Sequence, residues 1–144
     1  MKLVRSMMLF AAAVLMGAVA LTAQGGQKQW TDEAYDKVMK EVGASAGAMR
    51  KAIEGQNAEL AKTNATKMVS LFTDVHAFWT SRNVKEAATI ANSALTHAKA
   101  VESAVDAKDF TKAAESAKTM QGACAECHKT YRDKGPDGSW RIKP

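Results

Sequence analysis

Residues 109–135 read DFTKAAESAKTMQGACAECHKTYRDKG. Phe110, Ala113, Ala117, Met120, Cys124, Cys127 and Tyr131 recur at spacings of three and four, which places them on one face of an α-helix. Asp109 supplies a carboxylate to cap the first turn, and Gly135-Pro136 ends the segment. No alternation of period two runs through it. The stretch predicts a long amphipathic helix with both cysteines of the chain on its inner face.

Three segments upstream follow the same rule. In Asp32–Glu54 the stripe is Tyr35, Met39, Val42, Ala46, Met49 and Ile53. Thr31 is its N-cap, Asp32 and Glu33 suit the positive end of the helix dipole, Trp30 is placed to staple onto Tyr35, and Gly55 supplies the stop. Residues 57–80 carry Ala61, Ala65, Met68, Phe72, Val75 and Trp79 inward. A third helix starts near Asn83, where Asn83 and Glu86 have capping-box spacing, and turns Ala87, Ile90, Ala94, Ala98, Val101 and Val105 inward. Four such helices with short links predict an all-α fold, an antiparallel up-down-up-down four-helix bundle. The alanine-rich stripes leave room for a large group in the core.

The totals agree. A chain of 144 residues suits one domain, only two prolines interrupt it, and apolar residues make up 47%. Lys2 and Arg5 precede an apolar run over residues 7–21, with small residues near its end at Ala18 and Ala20 and just past it at Ala23. That run is short for a membrane span and reads as a secretory signal peptide over residues 1–23. A polar linker over 24–30, the four-helix domain over 31–135 and a C-terminal tail over 136–144 complete the division. With Lys2 and Arg5 removed, 18 basic residues face 15 acidic ones, a net charge of +3. So mild a charge, without a dense basic cluster, argues against nucleic acid and allows docking to an acidic protein. No membrane anchor is expected once the signal is cleaved.

The chemistry lies in Cys124-Ala125-Glu126-Cys127-His128. Cysteines three apart on a helix share a face, so two thiols can bond to the two vinyl groups on one edge of a haem, and the adjacent imidazole can ligate its iron. A thioredoxin-like redox pair needs a strand before its helix, which this chain does not offer. A zinc site needs four ligands, and only His76, His97 and His128 are available to join the thiols. The expected cofactor is therefore one covalent haem c.

The second face of the iron has three readings. At about 1.5 Å per helical residue, His128 lies roughly 9 Å from the predicted end of the fourth helix. Met39 lies roughly 12 Å from the start of the first, a similar height in an up-down bundle. His76 lies near the same end on the second helix, and an open sixth position is the third reading. Met49, Met68 and Met120 sit too deep and read as core, and His97 reads as a surface residue. Tyr131, Phe72, Val75, Phe78 and Trp79 are expected to wall the haem. Arg132, one turn beyond His128, is expected on its proximal side.

The pattern Cys124-x-x-Cys127-His128-x-x-Tyr131-Arg132, near the C-terminus and on the last helix of a bundle, resembles the cytochrome c prime family and its low-spin relatives. The segment MKEVGASAGAM (39–49) is similar to the first-helix segment of that family. The resemblance implies a methionine ligand at Met39 in a low-spin member, and a five-coordinate haem that binds nitric oxide or carbon monoxide in the alternative. It also allows a homodimer through the first two helices. One departure is Tyr35, where the family often has an arginine near a haem propionate; Lys37 or Arg82 would then take that role. The tail runs past the usual family end. The function expected is one-electron transfer in a bacterial periplasm with a redox protein partner, not enzyme catalysis.

Overall fold

The computed structural model describes residues 30–143. The stretch expected to be a signal peptide and all of the expected linker except Trp30 lie outside the described residues. Four helices follow: α1 (Asp32–Glu54), α2 (Ala58–Ser81), α3 (Lys85–Asp106) and α4 (Phe110–Tyr131). Each packs on the next and α1 also meets α4, so the four close around one core. The α1–α4 seam is the least extensive of these contacts.

That uneven packing decides which stripes are buried. The predicted stripes of α2 and α3 are buried throughout, joined by Leu71, Phe78, Ala91, Leu95 and Ala104. On α1, Met39 and Ala46 are only half-buried, while Val38, Ser45 and Ala52 turn inward. On α4 only Ala113, Met120 and Ala123 are fully buried; Phe110, Ala117, Cys124, Cys127 and Tyr131 are half-buried. Both helices lean toward their sequence neighbours, and side chains facing the open seam keep contact with solvent.

The three links share one design. Gln56, Asn83 and Lys108 each take a positive φ, of 52°, 59° and 57°. After each of them the chain reverses with the paired hydrogen bonds of a Schellman motif, as in Asn57 N to Ala52 O (2.8 Å) and Asp109 N to Ala104 O (2.9 Å). Gly55, expected to stop α1, is instead the C-cap at φ −82°, and the left-handed residue is Gln56. Asn83, expected to cap α3, fills that role for α2, so the capping box does not form and Val84 stands at the N-cap without a side-chain bond. Thr31, Asn57 and Asp109 do cap their helices through side-chain oxygens, at 3.1, 3.0 and 2.9 Å. A Cβ in the left-handed region costs about 1–2 kcal/mol, offset in part by the entropy glycine loses. Lys108→Gly is therefore expected to raise the unfolding free energy by about 0.5–1 kcal/mol, read as a shift in urea midpoint at constant slope.

The end of the chain departs from the predicted pattern. Rather than run to Gly135, α4 stops at Tyr131, and Arg132 turns extended at φ −123°, ψ 135°. β1 (Arg132–Lys134) then pairs antiparallel with β2 (Trp140–Ile142), with Arg132 opposite Ile142 and Lys134 opposite Trp140. The turn explains itself. Pro136 disfavours helix at Gly135, Gly138 takes a φ of +76° open to glycine, and Gly135 N bonds to Ser139 O at 2.8 Å. The Asp137 carboxylate accepts from Ser139 N (3.1 Å) and Oγ (2.7 Å). Ile142 packs on the core, and Lys143 N donates to Tyr131 O at 3.0 Å, which holds the hairpin against the end of α4.

Candidate functional site

Cys124, Cys127 and His128 lie in the last two turns of α4, all half-buried, and both thiols are free. They line a small cavity of about 20 Å³ together with Met39. The other walls are Tyr35 from α1, Phe72 and Val75 from α2, and Ile90, Ala91 and Ala94 from α3. The apolar wall comes from all four helices, whereas the donor atoms come from α1 and α4 alone.

A second cavity, of about 270 Å³, runs along the α1–α4 seam. Ala46, Met49, Ile53, Ala117 and Met120 form its floor, and Arg50, Glu54 and Lys118 stand at its sides. Cys124 lines both spaces.

Electrostatics limit what the cysteines can do. Burial pushes the Cys124 thiol up, and burial with the neighbouring Cys124 and Glu126 charges pushes Cys127 up to about 11. A disulfide oxidoreductase needs the opposite, a depressed thiol at a helix N-terminus, and these sit at the negative end of α4. Among the described residues, no group of three or more His, Cys, Asp or Glu side chains is placed to hold a metal ion, so a four-ligand zinc site is not assembled. Burial, and then the Arg132 charge, hold the His128 imidazolium below its usual range. The ring is thus neutral at neutral pH, the form that can ligate a metal. Arg132 Nη1 lies 3.3 Å from its Nδ1.

Tyr35, on the same face as Met39 one turn earlier, is the residue that pattern reading undervalued. Its ring stacks on Phe78 (centroids 4.0 Å apart) and its hydroxyl accepts from Trp79 Nε1 at 3.1 Å. Burial pushes its phenol well above the ordinary range. Phe78 and Trp79, expected to wall the cofactor, belong to this aromatic cluster behind the cavity instead. Tyr131 is outside the lining too: its ring packs on Trp79 at 5.2 Å and its hydroxyl donates to Glu86 at 3.0 Å. Ile90 and Ala94 were legible only as part of an inward stripe, and Ala91 was not read from the sequence.

The remaining expected positions divide. His76 is half-buried but does not line the cavity, and His97, expected on the surface, is half-buried. Met49, Met68 and Met120 are buried in the core. Arg82 is ion-paired with Asp32 and lies over the Phe78 ring at 4.4 Å. No described helix is long and apolar enough to cross a membrane. No family model matches this sequence, and neither does any curated protein.

Proposed function

We propose that the chain is an exported mono-haem c-type cytochrome, a one-electron carrier with its haem bound through Cys124 and Cys127 and ligated by His128 and Met39. The observation that carries this reading is the convergence of two thiols, an imidazole and a thioether on one apolar cavity. The donor set fits the group. Two thiols three residues apart on one helix face suit attachment to one haem edge, and a neutral imidazole with a soft sulfur suits iron. The thinly packed α1–α4 seam, whose cavity of about 270 Å³ shares Cys124 with the site, supports room for a flat ring.

Haem c, when bound, supplies a ferric–ferrous couple. The protein's part is to hold and shield it. Met39 and His128 would close the two faces, and the walls of Phe72, Val75 and Ile90 keep water away; both effects raise the reduction potential. The tight links favour an up-down-up-down order, in which α1 and α4 are antiparallel. Helical side chains lean toward their own N-terminus, so Met39 and His128 then lean toward each other. No general acid–base pair borders the cavity, so electron transfer rather than catalysis is proposed. The partner is a redox protein met in the bacterial periplasm, with neither nucleic acid nor membrane involved; homodimer formation is open.

An optical spectrum of the purified exported protein, oxidised and reduced, tests this first. A low-spin reduced spectrum indifferent to carbon monoxide is expected. A high-spin spectrum that shifts with carbon monoxide would replace this reading with a five-coordinate gas-binding one, and the lack of any Soret band would end the haem assignment.

A further inference from the structure

The charge of the chain is not evenly spread. Residues 24–128 hold 13 basic and 13 acidic side chains and are neutral, whereas residues 129–143 hold five basic and two acidic. The whole surplus of +3 carried by residues 24–143 therefore sits on the end of α4 and the hairpin. Trp140, one of two large apolar side chains strongly exposed among the described residues, stands in the middle of it at 49% exposure. Its ring is flanked by cations: the Arg132 guanidinium at 3.7 Å and Lys134 Nζ at 5.1 Å. Arg141 is its neighbour in β2. The same Arg132 lies against His128.

We propose that this hairpin face is the docking surface for an acidic protein partner, with Trp140 as the apolar anchor and Lys134 and Lys143 as the steering charges, Arg141 being ion-paired with Asp137. The inference rests on the electron-carrier reading and names where its partner binds. An exposed tryptophan ringed by cations is a poor use of surface in a free protein and a common centre of an interface. A net charge gathered at one end orients an encounter, which suits the small, short-lived contacts of electron transfer. Arg132 joins the two: it packs under Trp140 on one side and meets His128 on the other. A partner seated on Trp140 is thus one side chain from the site.

The test uses the purified exported protein, isotope-labelled, titrated at low salt with a glutamate–tyrosine copolymer while amide and indole resonances are followed. The hairpin amides and the Trp140 indole are expected to shift. Trp140→Ala and Lys134→Glu are each expected to weaken binding about tenfold, a usual loss for an anchor or a close charge. Lys112→Glu, the same charge change in the first turn of α4, is expected to alter it less than about twofold. Equal loss in Lys112→Glu, or shifts scattered over the helices, would overturn the proposal. So would hairpin shifts with phosphatidylglycerol vesicles and none with the copolymer, because the surface would then be a membrane one. The hairpin amides of the free variants report whether the fold of that region survives. The absorption spectrum of the same sample keeps the two readings apart. Haem without a hairpin response defeats the docking surface alone, and a hairpin response without haem defeats the cytochrome reading alone.

Discussion

Changing Cys124 and Cys127 together to alanine is expected to free the haem entirely: acidified acetone should extract nearly all of it from the variant and almost none from the parent. The argument rests on where the thiols are. They share one face of α4, border one cavity, and are held in the protonated form by burial at the negative end of a helix. Such thiols are poor nucleophiles for disulfide exchange, and among the described residues no group of three or more His, Cys, Asp or Glu side chains is placed to hold zinc. On the proposed reading their chemistry is attachment to the haem. Neither is fully buried, so loss of two sulfur atoms removes little packing, and the helical circular dichroism should change little. The single variants refine the result. Each should keep a covalent haem with its reduced bands displaced to the red, because one vinyl group stays conjugated with the ring. The steady amount of exported double variant should fall several-fold, since a bundle with an open seam loses the stabilisation of a bound ligand. A parent protein with two titratable thiols and no haem would reverse the conclusion, as would a double variant whose haem resists extraction.

The parts of this molecule that were legible before the structure are those set by local spacing. The inward stripes of α2 and α3 were readable because each is sandwiched between two well-packed neighbours, and a fully enclosed helix obeys its periodicity. The stripes of α1 and α4 were read too wide: periodicity marks which side chains share a face, but not how closely a fourth helix closes on the first. The links were legible only in part. The first helix does end at Glu54 with Gly55 as its C-cap, but the left-handed residue is Gln56, and Asn83 takes that conformation at the end of α2 rather than capping α3. Of the hairpin, the Pro136-Asp137-Gly138 turn and an extended tail after it were legible, but the strand pairing was not, because β1 and β2 are three residues each, too short to show alternation. Of the site, the Cys124-x-x-Cys127-His128 spacing carried nearly everything. Met39 followed from height along the helix, and the structure brings it to the same cavity as His128. Phe78 and Trp79 were read from their place near one end of the bundle, and in the structure they do not line the small cavity.

Met39→Ala is the sharpest remaining test, since Met39 decides between a carrier and a gas-binding site. With the thioether in place both faces of the iron would be filled from the protein, and little rearrangement would accompany electron transfer. Removing it should turn a low-spin spectrum high-spin, let carbon monoxide bind the reduced form, and lower the reduction potential. The drop should be on the order of a hundred millivolts or more, within the span of about 0.8 V that axial ligands command. The cost to the fold should be small, because Met39 is half-buried on the thinly packed side of α1, whereas Met49 and Met68 are 1% and 0% exposed. That contrast supplies the control. Met68→Ala should cost about 2–5 kcal/mol of stability and leave the spectrum low-spin. His76→Ala should alter neither coordination nor potential, since His76 does not border the cavity. If Met39→Ala left the spectrum unchanged and His76→Ala turned it high-spin, α2 would have to rotate to bring the imidazole inward. The present packing of Phe72 and Val75 on the cavity would then belong to the haem-free chain alone. If neither changed it, the iron would be five-coordinate from the start, and Tyr35, Met39 and Phe72 would form the wall that selects a small diatomic ligand.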